Sequence, residues 1–164
     1  MYKAELIDHR VEWDEIVKNV QALSKKEGNA VEIGVFGDQG IVKIAVENEF
    51  GDPPRPGRPW PIPERSFLRH VFDTNKDMLS SMMEGMVSDI LIGKTKIESD
   101  LKKLGILFEK KVKDFILSDY YKISKPNHPI TIRIKGHDQT LVQVGKLFSV
   151  ITHKITGRPI KIKT

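Results

Sequence analysis

The side chains best suited to catalysis or metal binding lack the spacing that such chemistry needs. The chain has five histidines and no cysteine, and neither an H-E-x-x-H nor an H-x-H pattern occurs, so neither a zinc site nor a cysteine nucleophile is predicted. Glu47 and Glu49 lie two residues apart in a predicted helix and therefore point in different directions, which argues against a catalytic carboxylate pair. The sequence predicts a protein that is not an enzyme, with no catalytic residues, no cofactor and no metal.

Positive charge is concentrated in residues 125–164, the basic segment. The whole chain carries a formal charge of +5, whereas the basic segment alone carries +7 and residues 1–124 carry −2. The segment is predicted to face DNA or an acidic partner surface, or else to form the solvated face of a β-structure. Its candidate contact residues are Arg133, Lys135, Lys146, Lys154, Arg158, Lys161 and Lys163.

A nucleic-acid-binding module is the alternative function that this charge suggests. The predicted strands of the basic segment alternate isoleucine with arginine or lysine, which gives one apolar and one basic face. Phe148 is the only aromatic residue after Tyr121, so bases would find no stacking platform there. No helix-turn-helix, zinc-finger or RNA-binding signature is present. Binding would therefore involve the nucleic-acid backbone and would be sensitive to salt.

Length and composition indicate one globular domain spanning residues 1–164. The chain has 164 residues, of which 39% are hydrophobic and 30% charged, as is typical of a folded domain of ordinary size. Apolar runs such as Ile90–Ile92 contain a few residues, whereas a membrane-spanning helix needs about 20, so no membrane partner is expected. The first residues do not form the apolar core of a signal peptide, which predicts a cytoplasmic protein.

Hydrophobic periodicity predicts an α+β fold in which a small, mostly antiparallel sheet packs with two long helices. Helices are predicted at residues 11–26, 41–50, 67–72, 75–92 and 95–118, and strands at 30–36, 130–134, 149–156 and 159–163. Glycines at Gly51 and Gly93 are expected to end helices. The apolar stripe of residues 78–91, which contains four methionines, is expected to belong to the core.

A proline-rich stretch from Asp52 to Pro63 separates two of the predicted helices. It contains six of the nine prolines, which exclude a helix and favour an extended, polyproline-like arm. A linker does not usually carry apolar side chains such as Trp60 and Ile62 between prolines. We therefore expect a projecting loop or arm that another surface covers, and we expect it to contact a neighbouring subunit.

Two sequence blocks resemble a known group of virion proteins. The first joins residues 44–51, I-A-V-E-N-E-F-G, across the arm to residues 62–69, I-P-E-R-S-F-L-R. The second is the run L-V-Q-V-G-K-L-F-S-V-I-T at residues 141–152. In order and spacing they resemble the neck and tail-completion proteins of tailed bacteriophages, the virion morphogenesis group that includes minor tail protein Z-like chains. The chain departs from that pattern at Gln143, Val144 and Val150, where the group has Asp, Thr and Ser.

The resemblance implies a structural protein of the virion, located at the junction of head and tail and assembled in the host cytoplasm. It implies a ring of identical copies that joins the head to the tail and completes the tail. The implied partners are other copies, the neighbouring connector and tail-terminator proteins, and DNA passing through the lumen. The candidate subunit-interface residues are Arg55, Arg58, Trp60, Ile62, Glu64, Arg65 and Arg69. Four charged residues have an alternative to contact with a neighbouring subunit, because they can form ion pairs with one another that hold the base of the loop in place. These residues are Glu49, Glu64, Arg65 and Arg69.

Overall fold

The computed structural model describes residues 10–25, 30–142 and 145–156, and it confirms the prediction of an α+β fold. Within these ranges the chain forms seven helices and two strands, which pair antiparallel in one small sheet. The elements are α1 (Arg10–Lys25), β1 (Ala30–Val35), α2 (Gln39–Phe50), α3 (Phe67–Thr74), α4 (Lys76–Leu91), α5 (Ile97–Leu117), α6 (Pro129–Lys135), α7 (Lys146–Val150) and β2 (Ile151–Thr156). The strand predicted at residues 159–163 lies outside the described ranges.

The chain divides into two compact units. The first unit contains α1, α4 and the beginning of α5, up to Lys103. The second unit contains α2, α3, α6, α7, most of both strands, and α5 from Leu104 onward. The prediction of a single domain for residues 1–164 stays a prediction.

The second unit holds the apolar core of the described residues. Helix α5 contributes one side chain per turn, at Leu104, Phe108, Val112 and Ile116, each at most 4% exposed. This spacing of four residues places them on one helical face. The other buried apolar residues are Ile41, Ala45, Phe67, Val71, Tyr121, Leu141, Leu147 and Ile151.

The methionine-rich stripe of α4 is not buried, so the prediction that it belongs to the core is wrong. No residue of α4 is buried, and Met83 and Val87 are 51% and 49% exposed. A hydrogen bond from Asn19 Nδ2 to the carbonyl of Leu91, at 3.1 Å, links α1 to the end of α4. Periodicity predicts which side of a helix is apolar, whereas the depth of its burial depends on how much chain covers that side.

Residues 130–134, predicted as a strand from their alternating isoleucines, form helix α6 instead. His128 is the N-cap residue, and its Nδ1 accepts a hydrogen bond from the N–H of Ile130 at 3.3 Å. Pro129 occupies the first helical position, where its missing N–H costs nothing. Gly136 ends the helix in the left-handed conformation, with φ of 76°. These start and stop signals outweigh the alternation of β-branched residues.

Strand β2 packs closely against α5 within the second unit. A Cβ atom added to Gly105 would lie 2.4 Å from Cδ2 of His153, so the side chain of His153 occupies the space that the missing side chain of Gly105 leaves free. The Glu109 carboxylate accepts hydrogen bonds from Lys113 Nζ at 2.6 Å and Thr152 Oγ1 at 3.2 Å, and lies 2.8 Å from Nδ1 of His153. These contacts, that of Lys113 above all, lower the pKa of Glu109.

Two glycine-to-alanine substitutions should change stability in opposite directions. Gly85→Ala in α4, where no atom lies within 4 Å of the new Cβ, should raise the free energy of unfolding by about 0.5–1 kcal/mol because alanine favours the helix. Gly105→Ala should lower it by about 1–3 kcal/mol because the new Cβ overlaps His153. Urea unfolding followed by circular dichroism measures both changes. Stabilisation by both substitutions would contradict the close approach of β2 to α5.

The Glu109 carboxylate should stabilise the fold only above its lowered pKa. Its pKa falls below the ordinary value of 4.5 on folding, so its contribution is complete above that value and is lost as the pH falls through the lowered pKa. We therefore expect Glu109→Gln to be less stable than the wild type near neutral pH and equally stable in strong acid. Urea unfolding at a series of pH values tests this, and a stability difference independent of pH would contradict it.

Candidate functional site

The proline-rich stretch forms a closed hairpin, so the prediction of an extended polyproline arm is wrong. Antiparallel bridges join Asp52 with Ile62 and Arg55 with Arg58. The backbone N–H groups of Asp52 and Ile62 each donate to the carbonyl of the other, at 2.9 and 2.8 Å. The tip is Pro56–Gly57, and the φ of the glycine is 84°, as a type II turn requires. The prolines are compatible with this hairpin because the bridging N–H donors belong to other residues.

Arginine side chains fasten the hairpin to α2 and close it internally. The Arg55 guanidinium lies 2.7 Å from Oε1 of Glu47 and 3.2 Å from Oδ2 of Asp52. The hydrogen bond to Glu47 is the main cause of the raised pKa of Arg55. Arg58 pairs with Asp52 and donates to the carbonyl of Trp60 at 2.7 Å. These two of the four predicted interface arginines therefore have partners within their own chain.

The indole of Trp60 lies against its own chain as well. It stacks on the imidazole of His128 with ring centroids 4.6 Å apart and planes inclined by 8°. Sequence analysis missed His128 because no local pattern connects it with a tryptophan so far away in the chain. The predicted contact of Trp60 and Ile62 with a neighbouring copy stays a prediction, and one face of the indole is already occupied.

The base of the hairpin is organised by Glu49, which is 4% exposed. Its Oε2 accepts a hydrogen bond from the N–H of Leu68 at 3.0 Å, and its Oε1 accepts from the N–H of Arg69 at 3.0 Å. These N–H groups belong to the first turn of α3, whose N-cap residue Ser66 makes no capping hydrogen bond with its side chain. A carboxylate from α2 therefore caps α3, where negative charge is favourable.

Arg69 joins the end of α2 to the segment that precedes α3. Its Nε donates to the Glu49 carboxylate at 3.1 Å, and its Nη2 donates to the Glu49 carbonyl at 2.7 Å and to Oε1 of Glu64 at 2.8 Å. The guanidinium also lies over the ring of Phe50, 4.6 Å from its centroid. The hydrogen bond to Glu49 is the main cause of the raised pKa of Arg69. The predicted ion pairs at the loop base are confirmed for Glu49, Glu64 and Arg69.

Arg65 is a second buried charge at the hairpin base, with 4% of its surface exposed. It donates from Nε to the carbonyl of Lys125 at 2.8 Å, from Nη2 to that of Pro126 at 2.7 Å, and from Nη1 to Oδ1 of Asn48 at 3.2 Å. The ion pair predicted for Arg65 is therefore replaced by hydrogen bonds to neutral oxygens. Burial lowers the pKa of Arg65, and the charge of Asp119 partly opposes that shift.

Gly51 allows the end of α2 to come close to the returning side of the hairpin. Its φ is 76°, and a Cβ at this position would lie 3.1 Å from the backbone N of Glu64 and 3.2 Å from the carbonyl of Ile62. A side chain would therefore meet backbone atoms that cannot easily move. The predicted end of the helix at Gly51 is confirmed.

The candidate residues of the basic segment are distributed over different elements. Arg133 and Lys135 lie on α6, so the prediction of a basic strand face there is wrong. Lys135 is half-buried and its Nζ donates to the carbonyl of Gln139 at 2.6 Å. Lys146 begins α7 and Lys154 lies in β2, both exposed. Contact of these residues with DNA or a partner stays a prediction. Outside the described ranges lie Arg158, Lys161 and Lys163.

Comparisons with models of protein families, with curated proteins and with solved structures give no match to this chain. In the part of the chain that the structure describes, no group of three or more His, Asp or Glu side chains is arranged to hold a metal ion. None of the helices in those ranges has both the length and the apolar character of a bilayer span. The hairpin and its charged base, all within the second unit, are therefore the candidate site.

Glu49→Gln should destabilise the fold much more than Glu64→Gln. The amide keeps the shape of Glu49 but loses the charge that caps α3 and holds Arg69. Since hydrogen bonds to a charged group contribute about 1.5–3 kcal/mol, we expect the free energy of unfolding to fall by about 2–3 kcal/mol. Glu64, whose side chain is 49% exposed, is the matched control, because exposed ion pairs contribute little. Similar losses for both variants in urea unfolding would contradict the organising role of Glu49.

Proposed function

We propose that this protein is a structural component of a tailed-bacteriophage virion and acts at the neck. There, a ring of copies joins the head to the tail and completes the tail, without catalysis. The observation that carries the proposal is the network around Glu49, since it makes the residues of the first motif block into the base of the hairpin. Residues of the first motif block thus hold the hairpin in a fixed conformation, as is useful in a protein that binds other protein subunits.

The polar residues of that block have their hydrogen-bonding groups engaged within the chain. Asn48 and Glu49 hold Arg65 and Arg69, and Gly51 allows the backbone segments to meet. These side chains position a loop, which supports a role in assembly over a role in substrate chemistry. A loop that is already ordered loses little conformational entropy when it binds. That property favours the repeated contacts of a ring.

An exposed apolar row on α2 is our candidate contact with the next copy. Val42, Val46 and Phe50 recur every four residues and are 36%, 50% and 61% exposed. A shallow groove is lined by residues of both α2 and the hairpin, among them Val46 and Arg55. Apolar side chains beside an arginine are typical of protein interfaces. In a ring, this surface would meet a different surface of the neighbouring copy.

The proposed partners beyond the ring are the connector and the tail-terminator protein, with DNA passing through the lumen. The exposed prolines of the hairpin and the apolar row on α2 would contact protein. Exposed basic side chains such as Arg133, Lys146 and Lys154 would face acidic protein surfaces or DNA.

Inactivating the gene in the phage that carries it should leave DNA-filled heads and finished tails lying apart. Electron microscopy of the lysate shows this directly, and expression of the wild-type chain in the host should restore joined virions. Intact, joined virions in the absence of the protein would overturn the proposed function.

The same complementation assay tests the contact surface with two matched variants. Val46→Asp places a charge in the apolar row and should reduce the yield of joined virions by about tenfold or more, since interface hot spots contribute more than about 1 kcal/mol each. Ile123→Asp makes the same kind of change at a side chain 94% exposed and should complement like the wild type. Equal yields would exclude the α2 row as the contact. Tight binding of the isolated chain to duplex DNA, with a steep salt dependence, would favour a nucleic-acid-binding module.

A further inference from the structure

A cavity in the second unit is separate from the exposed α2 row and has the size of a small-ligand site. It lies between α2, the hairpin, α6 and the side chains of Leu141, Val142 and Leu147, and its volume is about 360 Å³. Sites for small ligands span roughly 300–1,000 Å³ and are mostly apolar, with a few polar groups that fix the ligand. Apolar side chains form much of the wall here, among them Ile41, Ile44, Ile62, Leu141 and Leu147.

Two cations line this cavity and form no ion pair with a carboxylate of the described residues. The guanidinium of Arg65 donates to the carbonyls of Lys125 and Pro126 and to the amide oxygen of Asn48. The Lys135 ammonium donates to the carbonyl of Gln139 at 2.6 Å. Among the residues described, the ion pairs within 4.0 Å include neither Arg65 nor Lys135. The wall also includes Glu47, whose carboxylate is paired with Arg55 at 2.7 Å. Within the described residues, the cavity is therefore lined by two cations that belong to no ion pair.

The electrostatic surroundings of Lys135 agree with this geometry. Burial lowers the pKa of Lys135, and the charge of Arg65 lowers it further. Asp119 and Asp138 act in the opposite direction but from beyond ion-pair distance of the Lys135 ammonium. The carboxylate of Asp119 is engaged with Thr140, through the backbone N–H at 2.7 Å and the hydroxyl at 2.5 Å. An anion in the cavity would therefore relieve the repulsion between the two cations.

A further cationic residue of the cavity wall, Arg58, has one N–H group without a hydrogen-bond partner. Nε of Arg58 is buried and has no hydrogen-bond partner among the described residues. A buried N–H without an acceptor is unfavourable and uncommon in folded proteins. Arg58 lies beside the tip of the hairpin, Arg65 lies between the hairpin and α3, and Lys135 ends α6. Three parts of the chain therefore contribute cationic residues to the wall of one cavity.

We propose that the cavity binds a carboxylate carried on an apolar group, with Arg65 and Lys135 receiving the carboxylate and the aliphatic walls covering the apolar part. Carboxylates match the paired N–H donors of a guanidinium, and the aliphatic walls exclude ligands that are polar throughout. The source is either a small carboxylic acid in solution or an acidic side chain of a second copy. This inference does not depend on the proposed role at the virion neck.

Fluorescence of Trp60, which lines the cavity, provides a direct assay. The chain has two tryptophans, so Trp13→Phe leaves Trp60 as the sole reporter. Hexanoate is the probe, and hexanamide is its neutral control of the same length. We expect a saturable change in Trp60 emission with hexanoate and an affinity for hexanamide lower by about tenfold or more. The absence of a saturable response, or equal affinities for the two probes, would overturn the proposal.

Three substitutions in this background assign the site. Lys135→Met keeps the aliphatic stem but removes the charge, and should weaken hexanoate binding by about tenfold or more. Lys110→Met, at a side chain 72% exposed on α5, is the matched control and should bind like the parent. Ile44→Phe places a larger apolar side chain at the cavity wall and leaves both cations in the sequence, and it should abolish binding even if Lys135→Met perturbs the fold. Unchanged affinity in Ile44→Phe, with the fold intact by circular dichroism, would overturn the proposal.

Sedimentation velocity distinguishes the two sources once hexanoate binding is established. Dissociation of assembled copies by hexanoate, but not by hexanamide, would assign the site to an acidic side chain of another copy. Sedimentation that hexanoate leaves unchanged would assign it to a free carboxylic acid. Because the titration uses the isolated chain, it can fail while complementation succeeds, and the reverse is equally possible.

Discussion

The carboxylate of Glu49 is buried where three segments of the second unit meet, and the geometry around the hairpin depends on it. A buried carboxylate is stable only when hydrogen bonds and an opposite charge replace its lost hydration. The first turn of α3 supplies two N–H donors, and Arg69 supplies the charge. Since Glu49 belongs to α2, this single group fixes the direction in which α3 leaves the hairpin. Gly51 then allows the chain to turn within the remaining space.

The ion pairs at the base of the hairpin determine which charged side chains of the neighbouring cavity are left without an ion-pair partner. Glu49 and Glu64 are both engaged by Arg69, and Asp52 is engaged by the hairpin arginines. Arg65 therefore donates to carbonyl oxygens in place of a carboxylate, and it lines the cavity together with Lys135. The same interactions that hold the hairpin closed thus leave positive charge on the cavity wall. One set of ion pairs therefore both closes the hairpin and sets the charge of the cavity wall.

Local signals account for the elements that the sequence predicted correctly. The helical periods of α1 and α5, the strand at β1 and the helix ends at Gly51 and Gly93 involve residues close in the chain, so tertiary structure had little to override. The prediction at residues 130–134 failed because alternation was weighed above the proline and glycine that mark the ends of α6. The hairpin was missed because the prolines were taken to favour an extended arm, although the N–H groups that pair belong to other residues.

The sequence by itself determined the α+β class, the apolar stripe of α5, the concentration of positive charge and the motif that contains Asn48 and Glu49. These properties depend on composition and on the spacing of neighbouring residues. Only the tertiary structure decided that Glu49 pairs with Arg69 and not with Arg65, and that Trp60 stacks on His128. It also decided that no residue of the methionine-rich stripe of α4 is fully buried. The physical reason is that a charge or a ring takes the nearest partner of suitable geometry. Which partner is nearest depends on how distant segments pack.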